Sequence, residues 1–260
     1  SYQTNTPSLT LAAEGAAIQL DGVDDYVDVP DGVWFNGDFT FEGWVNPQSF
    51  GNWSRLIDFG NGQNADNVLL GYSAGTTGQP RCEVRQGTTI VGAVVATQPI
   101  PLNQWSHLAV TLQGSTLTLF INGSVAAASS SQPPRNVVRT LNFIGRSNWA
   151  DTYANALFDE VRIWSVARSR AEILAGMSQR LSGNELGLRA CWRFDEATGT
   201  AALDSSTNAQ HAALVNNPER VPLGQAAVTL TGLPTGATYH YRAVATDTNG
   251  VKTFGADQSF

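Results

Sequence analysis

Cysteine, lysine and long apolar runs are all scarce in this chain of 260 residues. Its only lysine is Lys252, and its 2 cysteines are Cys82 and Cys191. Both cysteines lie in strand-like stretches without the spacing of a metal or redox site, so they are either two buried thiols or one disulfide. No apolar run reaches the roughly 20 residues of a membrane-spanning helix, and the first residues lack the basic and apolar segments of a leader. We therefore expect a mature chain without membrane insertion.

The charge balance is acidic, with 22 Asp and Glu against 15 Lys and Arg and a net charge of -7. Binding to nucleic acid or to anionic lipid needs a cationic surface. The composition therefore predicts no nucleic-acid partner and is compatible with a bound cation.

The residues that are abundant favour β-structure. Apolar residues make up 42% of the chain, charged residues only 14%, and there are 25 Gly and 11 Pro. Apolar and polar residues alternate clearly at 39–45, 105–112 and 116–122, and a glycine-containing loop at 113–115 joins the last two runs as a hairpin. Further strands are predicted at 17–20, 26–29, 55–59, 68–72, 81–85, 91–95, 141–144, 157–164 and 188–194. Because turns separate these strands, we predict an all-β fold, a sandwich of two antiparallel sheets.

One helix interrupts the strands. Ser169 can cap a helix over 170–177, with Glu172 at its third position as in a capping box. Ile173, Leu174 and Met177 are predicted to form its apolar face. We interpret this helix as a connector rather than a site.

Five motifs occur in the order LDGVDDYVDV, FTFEGWVNP, LNQWSHLAVTLQGSTLTLFINGSVA, LNFIGRS and FDEVRIWSVARSRAEI. Together they resemble the laminin-G-like or pentraxin-like branch of the concanavalin A-like jelly rolls, over residues 16–223. The resemblance implies a two-sheet antiparallel jelly-roll sandwich. The stretch 188–196 resembles a strand that many members place before the LDG motif, and here it follows the helix, which indicates a permutation.

Residues 224–260 have a different character and resemble the second half of a fibronectin type III domain, with Tyr239 as the corner tyrosine. Too few strands are present for a whole domain of that type. The missing strands were either left off the chain or are supplied by another copy through strand addition. Residues 1–15 are interpreted as an N-terminal extension or strand. The predicted partners are therefore other copies of this chain or neighbouring modules of a longer one.

The acidic residues around Gly22 predict a metal site. Asp21, Asp24 and Asp25 flank this glycine, and calcium prefers several carboxylate and carbonyl oxygens in a bent loop. Asp159 joins them if its strand lies beside the first one. The alternative is an ordinary Asp-Gly turn. We predict calcium as a structural cofactor.

Tryptophan is the candidate for ligand binding, because indole faces give sugars a platform. Of the 7 tryptophans, Trp34, Trp53 and Trp149 lie in loop-like, polar surroundings and are the ligand-binding candidates. The other four lie in strand motifs and are predicted to pack in the core: Trp44, Trp105, Trp164 and Trp192.

No catalytic constellation is visible. Asp159 and Glu160 are adjacent, so on a regular strand they point to opposite faces and cannot share a substrate. The three histidines, His107, His211 and His240, are dispersed. We therefore expect no enzyme.

The sequence as a whole favours a non-catalytic module, secreted or on the cell surface, that binds or builds structure in adhesion or self-assembly and holds a structural calcium. The alternative is a carbohydrate-binding module of a larger secreted polysaccharide-degrading enzyme. A third hypothesis is a glycoside hydrolase or lyase with unfamiliar residues.

Overall fold

The computed structural model describes residues 15–223, residue 238 and four short strands beyond it. The chain divides into two compact units, of which residues 14–223 form the larger. Within 15–223 the elements are β1 (Ala16–Asp21), β2 (Tyr26–Val29), β3 (Phe39–Pro47), β4 (Arg55–Gly60), β5 (Val68–Gly71), β6 (Arg81–Gln86), β7 (Thr89–Val95), β8 (Ser106–Gln113), β9 (Thr116–Ile121), β10 (Ser124–Ser130), β11 (Leu141–Ile144), β12 (Asn155–Trp164), α1 (Arg170–Gly176), β13 (Leu188–Trp192), β14 (Ala201–Ala202), β15 (Ala212–Val215) and β16 (Glu219–Pro222). Among the described residues, no helix is long and apolar enough to cross a membrane.

These strands form two antiparallel sheets of 8 strands each. The first sheet has the order β10-β9-β8-β3-β12-β1-β16, and β13 also pairs with β12. The second sheet has the order β14-β15-β2-β11-β4-β5-β6-β7. The predicted all-β sandwich of jelly-roll type is confirmed.

The core lies between the inner faces of the two sheets, and the alternation in β3 shows how the sequence builds it. Phe39, Phe41 and Val45 belong to the main core cluster, while Trp44 points to the outer face and is half-buried. Glu42 also points outward, yet it is fully buried, because Trp164 at the end of β12 and Arg168 after it lie over its carboxylate. The first sheet therefore carries a second, polar layer on its outside.

The long strand β12 has two different neighbours along one edge. Its first half pairs with β1, with Asp21 opposite Asn155. Its second half pairs with β13, with Trp192 opposite Val161. The stretch at 188–196, predicted as a strand displaced to a position after the helix, thus includes β13. This strand lies beside β12 beyond the N-terminal end of β1.

The helix has the predicted capping box. The Ser169 side chain accepts a hydrogen bond from the Glu172 backbone N–H at 3.3 Å, and the Glu172 carboxylate accepts one from the Ser169 N–H at 2.7 Å. Ile173 is buried against Ala109 and Phe120. Leu174 is exposed, so its predicted place on the buried face is wrong. In a helix this short, one apolar residue reaches the sheet.

Both cysteines are free, buried thiols, Cys82 in β6 and Cys191 in β13, and this decides between the two alternatives for them. Burial raises the pKa of Cys191 to about 12. Both thiols are therefore protonated and behave as small apolar side chains.

The smaller unit is described only in four short strands. β17 (His240–Tyr241) pairs with β20 (Gln258–Ser259), and β18 (Val244–Thr246) pairs with β19 (Lys252–Phe254), both antiparallel. The fibronectin-like interpretation depends on the rest of 224–260, which lies outside the described residues. Residues 1–14 of the predicted N-terminal extension or strand at 1–15 also lie outside them.

Candidate functional site

The acidic turn is the loop at Asp21, Asp24 and Asp25 after β1. One ligand oxygen of each carboxylate lies within 4.8 Å of the others. Asp21 Oδ1 also accepts hydrogen bonds from the N–H groups of Val23 at 2.8 Å and Asp24 at 3.3 Å, which is the geometry of an Asp-stabilised turn. Burial, with repulsion from Asp21 and Asp24, raises the pKa of Asp25. The donor set fits a calcium ion, and it also serves the turn.

Asp159 is not part of this group. β1 and β12 are neighbours, as the prediction required, but their register sets Asn155 opposite Asp21. Asp159 is four residues further along β12, about 13 Å away at a strand rise of about 3.3 Å per residue. Its predicted place beside the acidic turn is therefore wrong.

The three candidate tryptophans separate into one core residue and two surface residues. Trp34 is buried at 4% exposure, with its ring centroid 5.6 Å from Phe59 and 5.9 Å from Trp192. Its placement as a ligand residue is wrong, because the polar loop around it folds over the core. Trp53 and Trp149 are half-buried and line one cavity.

This cavity, the Trp53–Trp149 cleft, lies on the outer face of the second sheet. Trp53 precedes β4, and Trp149 lies in the loop after β11. The cleft has a volume of about 150 Å³, and its other lining residues come from β4, β5, β6 and the loop after β11: Arg55, Leu69, Glu83, Arg85 and Asp151. It is smaller than the roughly 300 Å³ of the smallest drug-sized sites.

Glu83 forms the centre of the cleft floor and binds an arginine on either side. Arg81 Nη2 lies 2.8 Å from Glu83 Oε1, and Arg85 Nη2 lies 2.8 Å from Oε2. All three residues share one face of β6 because side chains two apart on a strand point the same way. Each arginine also places its guanidinium carbon over an indole, with Arg81 5.7 Å from the ring centroid of Trp53 and Arg85 5.1 Å from that of Trp149. Glu83 and its two arginines therefore hold both indoles, which form the walls of the cleft.

Arg55 contacts both indoles of the cleft. Its guanidinium lies 5.8 Å from the ring centroids of both Trp53 and Trp149. It donates to the Trp53 carbonyl oxygen at 2.7 Å and to Asp151 Oδ2 at 2.9 Å. Because it is buried and held on both sides, the distance between the indoles is fixed before any ligand arrives.

The loop that carries Trp149 is attached to a buried carboxylate. Asp58 accepts hydrogen bonds from the Asn148 backbone N–H at 3.0 Å and from the Asn148 side chain at 3.0 Å. Burial raises the pKa of Asp58, and nearby Arg55 opposes that shift. Ser147 Oγ accepts from the Trp149 N–H at 3.0 Å, which fixes the turn at the wall.

The cleft can bind a polar ring with apolar faces. The indoles offer flat apolar surfaces, while guanidinium groups donate hydrogen bonds and carboxylates accept them. The three arginines at 55, 81 and 85 are balanced by three carboxylates at 58, 83 and 151. Such a surface suits hydroxyl groups.

The charged residues of this cleft were not singled out from the sequence. A signal was present, since Arg81-Cys-Glu-Val-Arg85 alternates with period two and puts three charged side chains on one face. The contribution of Asp151 depends on a loop folding back over the sheet, which no local pattern indicates.

A second cavity system, the Trp44–Trp105 groove, lies on the outer face of the first sheet. One part, of about 270 Å³, is lined by Trp44, Trp105, Asp159 and Leu223. The adjoining part, of about 310 Å³, shares two of these and is lined in addition by Glu160, Arg162, Met177, Ser178, Gln179 and Arg180. Trp44 and Trp105 are half-buried at this surface, so their predicted core role is wrong. Trp164 and Trp192 are core residues, as predicted.

A bulge in β12 shapes this groove. The pairing of β12 with β3 shifts register between Asp159 and Arg162, and Glu160 has a φ of 48°. Asp159 and Glu160 therefore both line the groove, and the expectation that they point to opposite faces is wrong. Burial raises the pKa of Asp159 to about 7, with further contributions from Glu160 and Asp195.

A family model described as the concanavalin A-like lectin/glucanases superfamily matches residues 21–174. A search of curated proteins finds no match. Among solved structures, a Bacteroides ovatus protein assigned as carbohydrate-binding is similar over 85% of this chain, with 20% identity and a TM-score of 0.62. The chain spans 62% of the length of that protein.

Two smaller modules are also similar. Domain 4 of AbnA, an extracellular GH43 arabinanase of Geobacillus stearothermophilus solved with arabinotriose, matches 66% of this chain and 82% of its own length, with 18% identity and a TM-score of 0.50. The CBM40 module of a Ruminococcus gnavus IT-sialidase, solved with α2,3-sialyllactose, matches 61% of this chain and 95% of its own length, with 14% identity and a TM-score of 0.51. At these identities the similarity establishes the fold alone.

Proposed function

Because the chain belongs to the concanavalin A-like lectin/glucanases superfamily, we propose that residues 14–223 form a non-catalytic carbohydrate-binding module. The Trp53–Trp149 cleft is its binding site. The observation that carries the proposal is the pair of half-buried indoles fixed on either side of a floor of alternating arginine and glutamate.

The physical basis is the two-sided chemistry of a sugar ring. Its C–H faces stack on aromatic rings, and its hydroxyl groups need donors and acceptors in the ring plane. Trp53 and Trp149 supply the first, and Glu83, Arg85 and Asp151 supply the second. A cavity of about 150 Å³ fits one ring at a time, so the site binds a terminal residue or one unit of a longer chain.

The charge distribution favours a neutral sugar over an acidic one. Arg81 and Arg85 are paired with Glu83, and Arg55 is paired with Asp151 at 2.9 Å. An anionic group entering the cleft would have to displace one of these carboxylates and leave it without its partner. That exchange costs free energy without adding an ion pair.

The fold is similar to that of a domain of an extracellular arabinanase, which supports a secreted or cell-surface location. Carbohydrate binding is compatible with both binding hypotheses from the sequence. One is a module that acts in adhesion, and the other is a module that targets a polysaccharide-degrading enzyme. In either role the module itself needs no turnover.

The test is native affinity electrophoresis in gels containing arabinan, xylan, mixed-linkage β-glucan or a sialylated mucin. The wild-type protein should be retarded by at least one neutral polysaccharide. Trp53→Ala and Trp149→Ala should each weaken that binding by about tenfold, equivalent to about 1.4 kcal/mol, because each removes one stacking surface.

Leu186→Ala is the matched control, since Leu186 is 93% exposed and lines neither cavity. Equal retardation of the wild type and of a Trp53→Ala, Trp149→Ala double variant would show that the cleft is not the site. Release of reducing ends from any of the four polysaccharides would contradict the non-catalytic assignment.

The acidic turn supports a further part of the proposal, a structural calcium ion held by Asp21, Asp24 and Asp25. Three carboxylate oxygens within 4.8 Å repel one another, and a divalent cation would remove that repulsion. Assembly through residues 224–260 stays a prediction, to be tested by the mass of the intact protein in solution.

A further inference from the structure

The Trp44–Trp105 groove has the same kinds of groups as the cleft, on the other outer face of the sandwich. We propose that it is a second carbohydrate-binding site, so that one module binds glycan at two separate places. The ligand class rests on the proposed function, whereas the existence of the site rests on the geometry of the first sheet.

The groove joins an apolar part to a polar part. In the apolar part, Trp44 and Trp105 lie beside Leu223, which suits the face of a sugar ring. In the polar part, Glu160 and the exposed Gln179 side chain supply acceptors and donors for hydroxyl groups, and the buried Arg162 holds the Glu160 carboxylate in place at 2.8 Å. Asp159 lines both parts and lies directly opposite Trp44 in the pairing of β12 with β3. A ring stacked on Trp44 would therefore meet a carboxyl group at its edge.

The groove is also held in shape without a ligand. The Trp44 indole N–H donates to the Met177 carbonyl oxygen at 2.8 Å, and its ring meets His107 edge-on at 5.2 Å. Arg162 donates to the carbonyl oxygens of Gly176 at 2.8 Å and Gln179 at 2.7 Å. These contacts fix the wall and the end of the groove, which lowers the entropy lost on binding.

The bulge in β12 strains the backbone at Glu160, and the same bulge gives the groove its two carboxyl groups. A non-glycine residue at a φ of 48°, as at Glu160, lies in a sparsely populated region of backbone conformation and is strained. Its effect is to turn two successive carboxyl groups toward one surface, which a regular strand cannot do. Bulges that re-aim side chains are common next to binding sites.

The positions of the two sites determine what they can do together. The cleft is on the outer face of the second sheet and the groove is on the outer face of the first, with the core between them. Packed sheets are about 10 Å apart, so one sugar ring cannot occupy both sites. A module with two such sites on opposite faces can link two glycan chains, and it gains avidity only where chains reach both faces, as in a polysaccharide network.

The experiment compares two double variants on the same four polysaccharides by affinity electrophoresis. The cleft variant is Trp53→Ala with Trp149→Ala, and the groove variant is Trp105→Ala with Asp159→Asn. Trp105 is chosen over Trp44 because the latter donates a hydrogen bond to the Met177 carbonyl oxygen. Thermal melting checks that each variant is folded, and Asp159→Asn alone replaces the groove variant if the double substitution unfolds the protein.

We expect the cleft variant to keep residual retardation by at least one polysaccharide, and the combined quadruple variant to lose it by at least tenfold. We also expect wild-type protein to make solutions of that polysaccharide turbid, and each double variant to lose this cross-linking. If the cleft variant loses all binding and the groove variant binds like wild type, the groove is not a site and the proposed function still holds. If the wild type binds none of the four polysaccharides, both proposals fail.

Discussion

The carboxyl group of Asp159 allows a quantitative test of the bulge in β12. Burial, with the neighbouring carboxylates Glu160 and Asp195, raises its pKa from 3.8 to about 7, and Arg162 only partly opposes this. The folded protein therefore binds a proton at Asp159 more tightly than the unfolded chain does. The free energy of unfolding must then fall as the pH rises from about 4 to about 7, and level off above that range.

The size of the effect follows from the shift. One pKa unit corresponds to about 1.4 kcal/mol, so ionising Asp159 in the folded protein costs up to about 4 kcal/mol. Asp159 keeps some solvent contact in the groove, which reduces the expected loss between pH 5 and pH 8 to about 2 kcal/mol. Asp159→Asn removes the titrating group and should remove this loss.

The assay is urea unfolding of the wild type and Asp159→Asn at several pH values between 5 and 8. All other groups titrate in both proteins, so the difference in unfolding free energy isolates Asp159. The variant should gain stability relative to wild type as the pH rises. Leu186→Ala, at an exposed residue without a titrating group, is the control and should give a constant difference. A constant difference for Asp159→Asn as well would refute the burial argument.

Two further substitutions test other buried or clustered charges. Glu42→Gln should destabilise the protein by about 3 kcal/mol in urea, because the buried Glu42 carboxylate lies 2.9 Å from Arg168 and its loss leaves that guanidinium without its carboxylate partner. Arg162, 3.7 Å from Glu42, keeps Glu160 at 2.8 Å. The exposed Glu219→Gln should change stability by less than about 0.5 kcal/mol. Millimolar Ca²⁺ should raise the melting temperature of wild type and not of Asp24→Ala. An equal rise in both proteins would show that the acidic turn does not bind the ion and is only an Asp-stabilised turn.

The pattern of alternation predicted most strands of the sandwich, because strongly apolar strands have a clear period of two. The strands that were missed are β10 and β14–β16. β10 reads Ser-Val-Ala-Ala-Ala-Ser-Ser and has exposed or half-buried residues throughout. Edge strands like this bury little, so their sequence has no pattern to detect.

The site residues show a sharper limit. Alternation in β3 correctly separated Phe41 from Glu42, but it could not say what lies over each face. Whether an outward residue is covered depends on a segment more than a hundred residues later, which buries Glu42 and leaves Trp44 at the surface. The bulge that brings Asp159 and Glu160 together is likewise a tertiary effect.

The Trp53–Trp149 cleft couples the stability of the sandwich to its specificity through Asp58. This buried carboxylate holds Asn148 of the loop that carries Trp149 and lies 3.5 Å from Arg55, which contacts both indoles. Substituting Asp58 would therefore disturb the core and the site together. Trp149 and Ala150, in contrast, are positioned by that anchor and can change without unpairing a strand or the buried Arg55. Ligand specificity can thus vary in this loop while the fold is preserved, which is why the fold alone does not identify the sugar.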